Sequence, residues 1–140
     1  RISDPGNLGT IIRSAAATGF NDIVLLDTVD PYNPKTVRSS ASGIYFTNFY
    51  PITEEYLIDK CNECGIEILV ADATGKNIFK AQLPTENYCL VIANEANGPS
   101  ENLRNCADKI ISLPMKPEIE SLNAGVCASI MMYTLAKDEL

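Results

Sequence analysis

Apolar runs bounded by turn residues alternate along this chain with stretches of helical spacing. Ile23-Val24-Leu25-Leu26 reads as a buried strand, and so do the runs at 66–70, 88–92 and 109–113. Short continuous apolar runs between turn signals suit strands covered on both faces. Residues 10–18 have helical spacing and stop at Gly19, a natural residue for closing a helix in left-handed backbone. Residues 53–64 begin Thr-Glu-Glu, an N-cap followed by first-turn acids, and stop at Gly65. A last helix runs from about Asn123 towards the C-terminus. Such alternation predicts an α/β fold, a mainly parallel sheet flanked by helices on both faces. A strand is expected ahead of Asp4-Pro5-Gly6, where only Arg1-Ile2-Ser3 stand, so that first strand reads as truncated. No Gly/Ser-rich linker, repeat or low-complexity segment interrupts the pattern, and 1–140 reads as a single domain.

Composition agrees with that picture and adds one difficulty. The 140 residues are 46% hydrophobic and 21% charged, values of a soluble globular domain. No apolar run approaches the roughly 20 residues that span a bilayer. The chain opens with Arg1 rather than Met and shows no charged-then-apolar leader, so we expect an excised piece of a cytoplasmic protein with something upstream. Lys137-Asp138-Glu139-Leu140 spells an endoplasmic-reticulum retrieval signal, but without a leader it reads as the solvated end of a helix. The net charge of −7 sits awkwardly with a nucleic-acid partner. Its placement eases the conflict: Glu54, Glu55, Asp59, Glu63 and Glu67 surround one helix, whereas Arg13, Lys35, Arg38 and Lys116 lie near the candidate site described next.

Several chemistries are excluded at once. The chain has no histidine, which removes Ser-His-Asp and Cys-His nucleophiles and His-bearing zinc sites. Cys61-Asn62-Glu63-Cys64 has the CxxC form but falls at a helix end, whereas a redox CxxC occupies a helix start, where the dipole lowers the thiol pKa. No second CxxC completes a metal site. The five cysteines therefore read as buried or half-buried free thiols, and no metal is expected. Gly6-Asn7-Leu8-Gly9 fits neither the dinucleotide fingerprint nor the P-loop.

Three separated segments combine into one candidate site. They are Asp4-Pro5-Gly6-Asn7-Leu8-Gly9-Thr10-Ile11-Ile12-Arg13-Ser14-Ala15, then Ile92-Ala93-Asn94-Glu95-Ala96-Asn97-Gly98, and then Ile111-Ser112-Leu113-Pro114-Met115 running on to Glu120-Ser121-Leu122-Asn123-Ala124-Gly125. Each joins an apolar run to a turn and a helix start, the junctions where open α/β sheets hold ligands. Read from the residues alone, Gly6 and Gly9 permit a tight turn and Arg13 follows one turn into a helix. Glu95 at the mouth of a parallel sheet needs a partner, for which Arg13 is the natural choice. Ser121 stands where an N-cap is expected.

In order and residue type these segments resemble the three signature motifs of the SpoU (TrmH) family of RNA ribose 2′-O-methyltransferases, within the SPOUT class. The resemblance covers nearly the whole chain. Its departures are Ala93 and Ala96, where glycines are typical, and Ala124-Gly125-Val126, where Val-Ser-Val is commoner. The family implies a C-terminal deep trefoil knot, involving the stretch from Val70 to the final helix, and a SpoU-type catalytic domain to which relatives often add an upstream RNA-binding domain. It implies S-adenosylmethionine-dependent methylation of a ribose 2′-hydroxyl in structured rRNA or tRNA. Arg13, Glu95, Asn7, Asn123 and Ser121 would form the catalytic set. Ala93, Asn94, Gly98, Leu113, Met115, Leu122 and Asn123 would hold the cofactor, and Arg13, Lys35, Arg38 and Ser40 would meet RNA. A guanidinium does not give up its proton at ordinary pH, so Arg13 would hold the 2′-oxygen and a neighbouring phosphate, with Glu95 orienting its fork.

Two other readings stay open at this stage: a cofactor-binding RNA-interaction protein without catalysis, and an unrelated α/β phosphoryl or nucleotide enzyme on an unknotted sheet. A homodimer is also expected. Ile11, Ile12, Ala15 and Ala16 supply one apolar face, and Val126, Ile130, Met131, Tyr133 and Leu135 another, more than one small sheet covers.

Overall fold

Asp4 and Pro5 set the start of the first helix. In the computed structural model, which describes residues 1–140, the Asp4 carboxylate accepts from the backbone N–H groups of Gly6 and Asn7, at 3.3 Å each. Pro5 occupies the first helical position, where its missing N–H costs nothing. This helix, α1 (Pro5–Thr18), ends at Gly19 with φ +84°. The expected turn at Gly6 and Gly9 is therefore a correction: both lie inside α1. Gly9 is glycine for a packing reason, since a Cβ there would stand 1.7 Å from Ser39 Oγ and 2.7 Å from the Thr36 carbonyl oxygen.

The chain divides into two compact units, Arg1–Ile52 with Asn123–Leu140, and Thr53–Leu122. In the first, β1 (Asp22–Leu25) pairs in parallel with β2 (Asn48–Pro51). Between them lie the short helix α2 (Pro34–Ser39) and a 3₁₀ turn at Gly43–Phe46. Ile2 is buried, and its carbonyl accepts from Val29 N–H at 2.9 Å, but Arg1-Ile2-Ser3 form no strand. The C-terminal helix α5 (Ala124–Ala136) rests on α1. Ser14 and Ser129 share a hydroxyl hydrogen bond of 2.6 Å, and a Cβ on Gly125 would approach Thr10 to 3.0 Å. That close approach gives a physical reason for glycine at 125.

The second unit begins with α3 (Glu54–Cys64), capped by Thr53 and closed by Gly65, both as its sequence predicts. The parallel sheet β4 (Tyr88–Val91), β3 (Glu67–Asn77), β5 (Lys109–Ser112) follows in that spatial order, with α4 (Glu101–Cys106) joining β4 to β5. Fully buried Ile68, Leu69, Val70 and Ile111 form its centre. After Ala71, β3 leaves the ladder and returns at Lys76 to pair with β5 again. Where it returns, Gly75 runs so close to β5 that an added Cβ would lie 2.5–2.6 Å from backbone atoms of Ile110 and Ile111. No helix is long and apolar enough to cross a membrane.

Candidate active site

Within the first unit, two of the three motifs meet through a side-chain amide pair. Asn123, not Ser121, is the N-cap of α5, so the expectation for Ser121 is corrected: it lies exposed, ahead of the helix. Asn123 Oδ1 accepts from the N–H groups of Gly125 and Val126, at 2.9 and 3.2 Å. That double acceptance fixes which end of the amide is oxygen. Its Nδ2 must then point the other way, and it donates to Asn7 Oδ1 at 2.8 Å, across 116 residues of sequence. Asn7 is held by its oxygen, and its own Nδ2 is the end left to face a ligand.

Asn123→Asp separates these two duties. A carboxylate still caps α5 and suits the positive helix end, so stability should stay within about 0.5 kcal/mol of the parent. The donor to Asn7 is lost, and the Asn7 amide must turn round. Any reaction that depends on the Asn7 amide should slow by roughly tenfold or more through mispositioning. Thermal melts and turnover assays on the same samples read both effects.

Arg13 lies two turns beyond Asn7 on α1 and is exposed. The 3₁₀ turn at Gly43–Phe46 is pressed against it: a Cβ on Gly43 would come within 3.0 Å of Arg13 Cα. Beside Arg13 opens a depression of about 710 Å³, which Ala16 and Ala17 line together with Ser42 and Phe46. Sequence reasoning did not find it. The available signal was the aromatic pair Tyr45-Phe46 just after the Ser-rich segment at 39–42, with both rings largely exposed.

The candidate RNA-contact residues divide. Lys35 and Arg38 are exposed on α2, but Lys35 stands 3.6 Å from the Asp4 carboxylate, which shares its charge. Ser40 corrects the expectation. It is fully buried, and its hydroxyl donates to the Val37 carbonyl at 2.8 Å, so it shapes the loop from inside.

In the second unit, the residues expected to hold a cofactor lie on loops leaving the same end of the parallel sheet. Ala93, Asn94 and Gly98 follow β4, and Leu113, Met115 and Leu122 follow β5; Glu95 and Ser121, expected in the catalytic set, lie on the same two loops. The connection from β4 crosses β3 to reach β5, the reversal of strand order that opens a ligand crevice at the carboxyl ends of strands. The first loop is closed by its own amide. Asn94 Oδ1 accepts from Ala96 N–H at 2.7 Å, and the Asn94 carbonyl accepts from Gly98 N–H at 2.8 Å. Gly98 has φ +64°, and a Cβ there would lie 3.1 Å from Arg104 Nη2, so glycine is the least strained residue at that position. Ala93 and Ala96 are not in left-handed backbone, so alanine imposes no strain at either position. Ala93, Leu113 and Leu122 are half-buried, while Glu95 and Met115 are exposed.

A fork of hydrogen bonds braces this loop region. Arg104 Nη1 and Nη2 donate to the two oxygens of Asp72, at 2.9 and 3.2 Å. Burial by itself pushes the Asp72 carboxyl up, but hydrogen bonds from Thr74 and the Arg104 charge outweigh it and hold it below the usual carboxylate range. The cysteines stay free. Cys64 is exposed, which corrects the expectation of burial for that one. Cys61 is buried on α3, and its hydrogen bond with Cys89 of β4, together with burial, pushes the Cys89 thiol up.

A loop–helix cradle of this kind, with an amide pair joining its first and third motifs, defines a class. The family model described as the SpoU rRNA Methylase family matches residues 1–133, and the chain belongs to that family. Among curated proteins it is 33% identical over 138 residues to the 23S rRNA (guanosine(2553)-2′-O)-methyltransferase RlmP of Bacillus subtilis, covering 96% of this chain and 54% of that protein. The AdoMet-bound rRNA methyltransferase from Sinorhizobium meliloti superposes with a TM-score of 0.94 at 27% identity, covering 100% of this chain and 54% of that one. The SpoU methyltransferase AviRb from Streptomyces viridochromogenes, in complex with AdoMet, gives 0.89 at 29% identity over 99% of this chain and 58% of its own. The α/β fold with parallel sheets flanked by helices is thus shared with SPOUT-class methyltransferases. The chain spans about half the length of these relatives.

Proposed function

We propose that this chain is the catalytic domain of an S-adenosylmethionine-dependent enzyme that methylates a ribose 2′-hydroxyl in structured rRNA or tRNA. The Asn7–Asn123 hydrogen bond carries the proposal, because it brings a donor amide of the first motif to the start of the helix that the third motif begins. Names of relatives support the same reaction: one is an rRNA 2′-O-methyltransferase, and two solved neighbours hold AdoMet. The alternative of a non-catalytic binding protein would be favoured if Ala93 and Ala96 blocked the cofactor, and the ordinary backbone at both positions gives it no support. The reading includes action in the cytoplasm and the family's trefoil knot.

The residues present fit such a cofactor. Closed loops after β4 and β5 offer backbone groups beside the half-buried Ala93, Leu113 and Leu122, the mixed apolar and polar lining that adenosyl ligands take. Bound there, S-adenosylmethionine supplies a sulfonium-activated methyl group. Arg13 holds the 2′-oxygen and an adjacent phosphate, and so steadies the charge that develops on that oxygen as the hydroxyl proton passes to solvent. Asn7 donates to the ribose. Glu95, in the second motif, is assigned to the catalytic set on the order of the motifs. Lys35 and Arg38 add positive charge for the RNA backbone.

Leu122→Lys should weaken cofactor binding by roughly 100-fold, since it sets an ammonium near a cationic ligand in a partly dry site. Calorimetric titration with S-adenosylmethionine checks this: stoichiometric binding by the parent and loss in the variant support the placement. Unaltered affinity in Leu122→Lys would move the pocket elsewhere.

The homodimer belongs to the same proposal, on a narrower footing than the sequence offered. Ile11, Ile12, Ala15 and Met131 are already buried within the chain, so the first of the two apolar faces is not available. Val126, Ile130 and Tyr133 remain exposed, at 45%, 36% and 49%, as one stripe along α5. Light scattering at micromolar concentration should give twice the chain mass, and Ile130→Glu should halve it.

A further inference from the structure

Resting on that reading of the reaction, we propose that the depression beside Arg13 receives the nucleobase of the nucleotide being methylated, with the Phe46 ring as its stacking platform. The depression lies wholly within the first unit. Its volume, about 710 Å³, suits a nucleoside rather than a lone ion.

Phe46 ends the Gly43–Phe46 turn and is 69% exposed. A large ring left in water contributes nothing to folding, whereas a flat exposed face is what an unstacked base uses. The turn is not a loose appendage. Ala41 and Ser42 are held in left-handed backbone, with φ +48° and +73°. Such backbone in residues other than glycine persists only where the surroundings enforce it. Gly43 helps enforce it, since a Cβ there would stand 3.0–3.3 Å from Arg13 and Ile12 backbone, a tight fit against α1. The ring and Arg13 therefore line one depression.

The rest of the lining fits a base better than a second phosphate. Ala16 and Ala17 give an apolar floor, and Asn21, Ser42 and Asn48 give neutral donors and acceptors. Asn48 Nδ2 donates to Asp22 Oδ1 at 3.1 Å, which leaves its amide oxygen outside that bond. That same carboxylate also accepts from Tyr50 OH at 3.2 Å. A ribose held by Arg13 and Asn7 places its phosphate at the cation and its base towards the aromatic ring.

The chain contains no tryptophan, so Phe46→Trp installs a single fluorescent reporter on the platform. Short single-stranded ribooligonucleotides of each base, and bulk rRNA, are titrated into this variant, into Phe46→Ala and into the parent. Binding is followed independently by polarisation of end-labelled RNA. Stacking predicts that the tryptophan is quenched as RNA binds, and that an oligonucleotide with abasic positions does not quench it. In Phe46→Ala the affinity should fall by roughly 5- to 150-fold, the span that loss of a stacking ring gives, with S-adenosylmethionine affinity unchanged. RNA binding without quenching and without loss in Phe46→Ala would overturn the base site and leave the methyltransferase reading standing. Failure of the parent to bind any RNA would overturn both. If Phe46→Ala alters the mass seen by light scattering, the depression belongs to a contact between copies and the proposal falls.

Discussion

Arg13→Ala should reduce single-turnover methyl transfer by at least roughly 10²–10³-fold, the loss expected when a donor aimed at developing negative charge is removed. The same variant should bind S-adenosylmethionine almost as tightly as the parent, because the residues assigned to the cofactor are on the loops after β4 and β5. Its fold should be intact, since Arg13 is exposed and its helix is held by Ile12, Ala15 and the Asp4 cap. Arg13→Lys should recover little, because an ammonium cannot grip a ribose oxygen and a phosphate with one planar fork. Glu95→Gln should be milder, as an amide still accepts a hydrogen bond. Retention of most activity in Arg13→Ala would remove this residue from the chemistry and leave the depression beside it unexplained.

Gly75→Ala should be the most damaging single change to the fold. Its Cβ would fall 2.5 Å from Ile110 C and 2.6 Å from both Ile110 O and Ile111 N, all backbone atoms of β5. Flexible side chains can move aside, but here β3 or β5 must shift, and Ile111 is fully buried. Ser112 Oγ also donates to the Gly75 carbonyl at 2.9 Å, so a shift costs that bond too. Overpacking of this kind costs about 3 kcal/mol or more when backbone is the obstacle. For a chain of this size the melting temperature should drop by roughly 10 °C. Since the loop carrying Leu113 follows β5 directly, cofactor affinity should fall with stability. A thermal melt within a degree or two of the parent would mean that β3 returns to β5 differently.

The helices and strands with strong local signals were legible in the sequence. Thr53 and Gly65 bound α3 as cap residues do, and the apolar runs of β1, β3, β4 and β5 begin close to where periodicity puts them. What escaped depends on distant partners. Strand β2 is four residues ending in proline and exists because β1 lies alongside it. Strand β3 continues to Asn77 through Thr74 and Gly75, residues that locally say turn, because β5 offers a second stretch to pair with. The glycines of the first motif misled for the same reason. Gly9 signals flexibility in sequence but serves contact with α2 in space, while the Asp4-Pro5 helix start was in plain view.

The site shows the same division. Order and type of residues picked out Asn7, Arg13 and Asn123, and a side-chain hydrogen bond joins the first and last of these. Sequence could not say which hydroxyl in Ser39-Ser40-Ala41-Ser42 turns inward, and it is Ser40. Nor could it place Phe46 beside Arg13, since that neighbourhood is made by Gly43 packing on α1.

The central claim is a methyl group on a ribose 2′-oxygen. The chain is incubated with methyl-labelled S-adenosylmethionine and bulk rRNA or tRNA, and the RNA is then hydrolysed in alkali. A 2′-O-methyl group removes the nucleophile that alkali needs, so the account predicts label in alkali-resistant dinucleotides that mass spectrometry resolves as 2′-O-methylnucleosides, and no label with Arg13→Ala. Label recovered on a base, in mononucleotides that alkali releases freely, would contradict it.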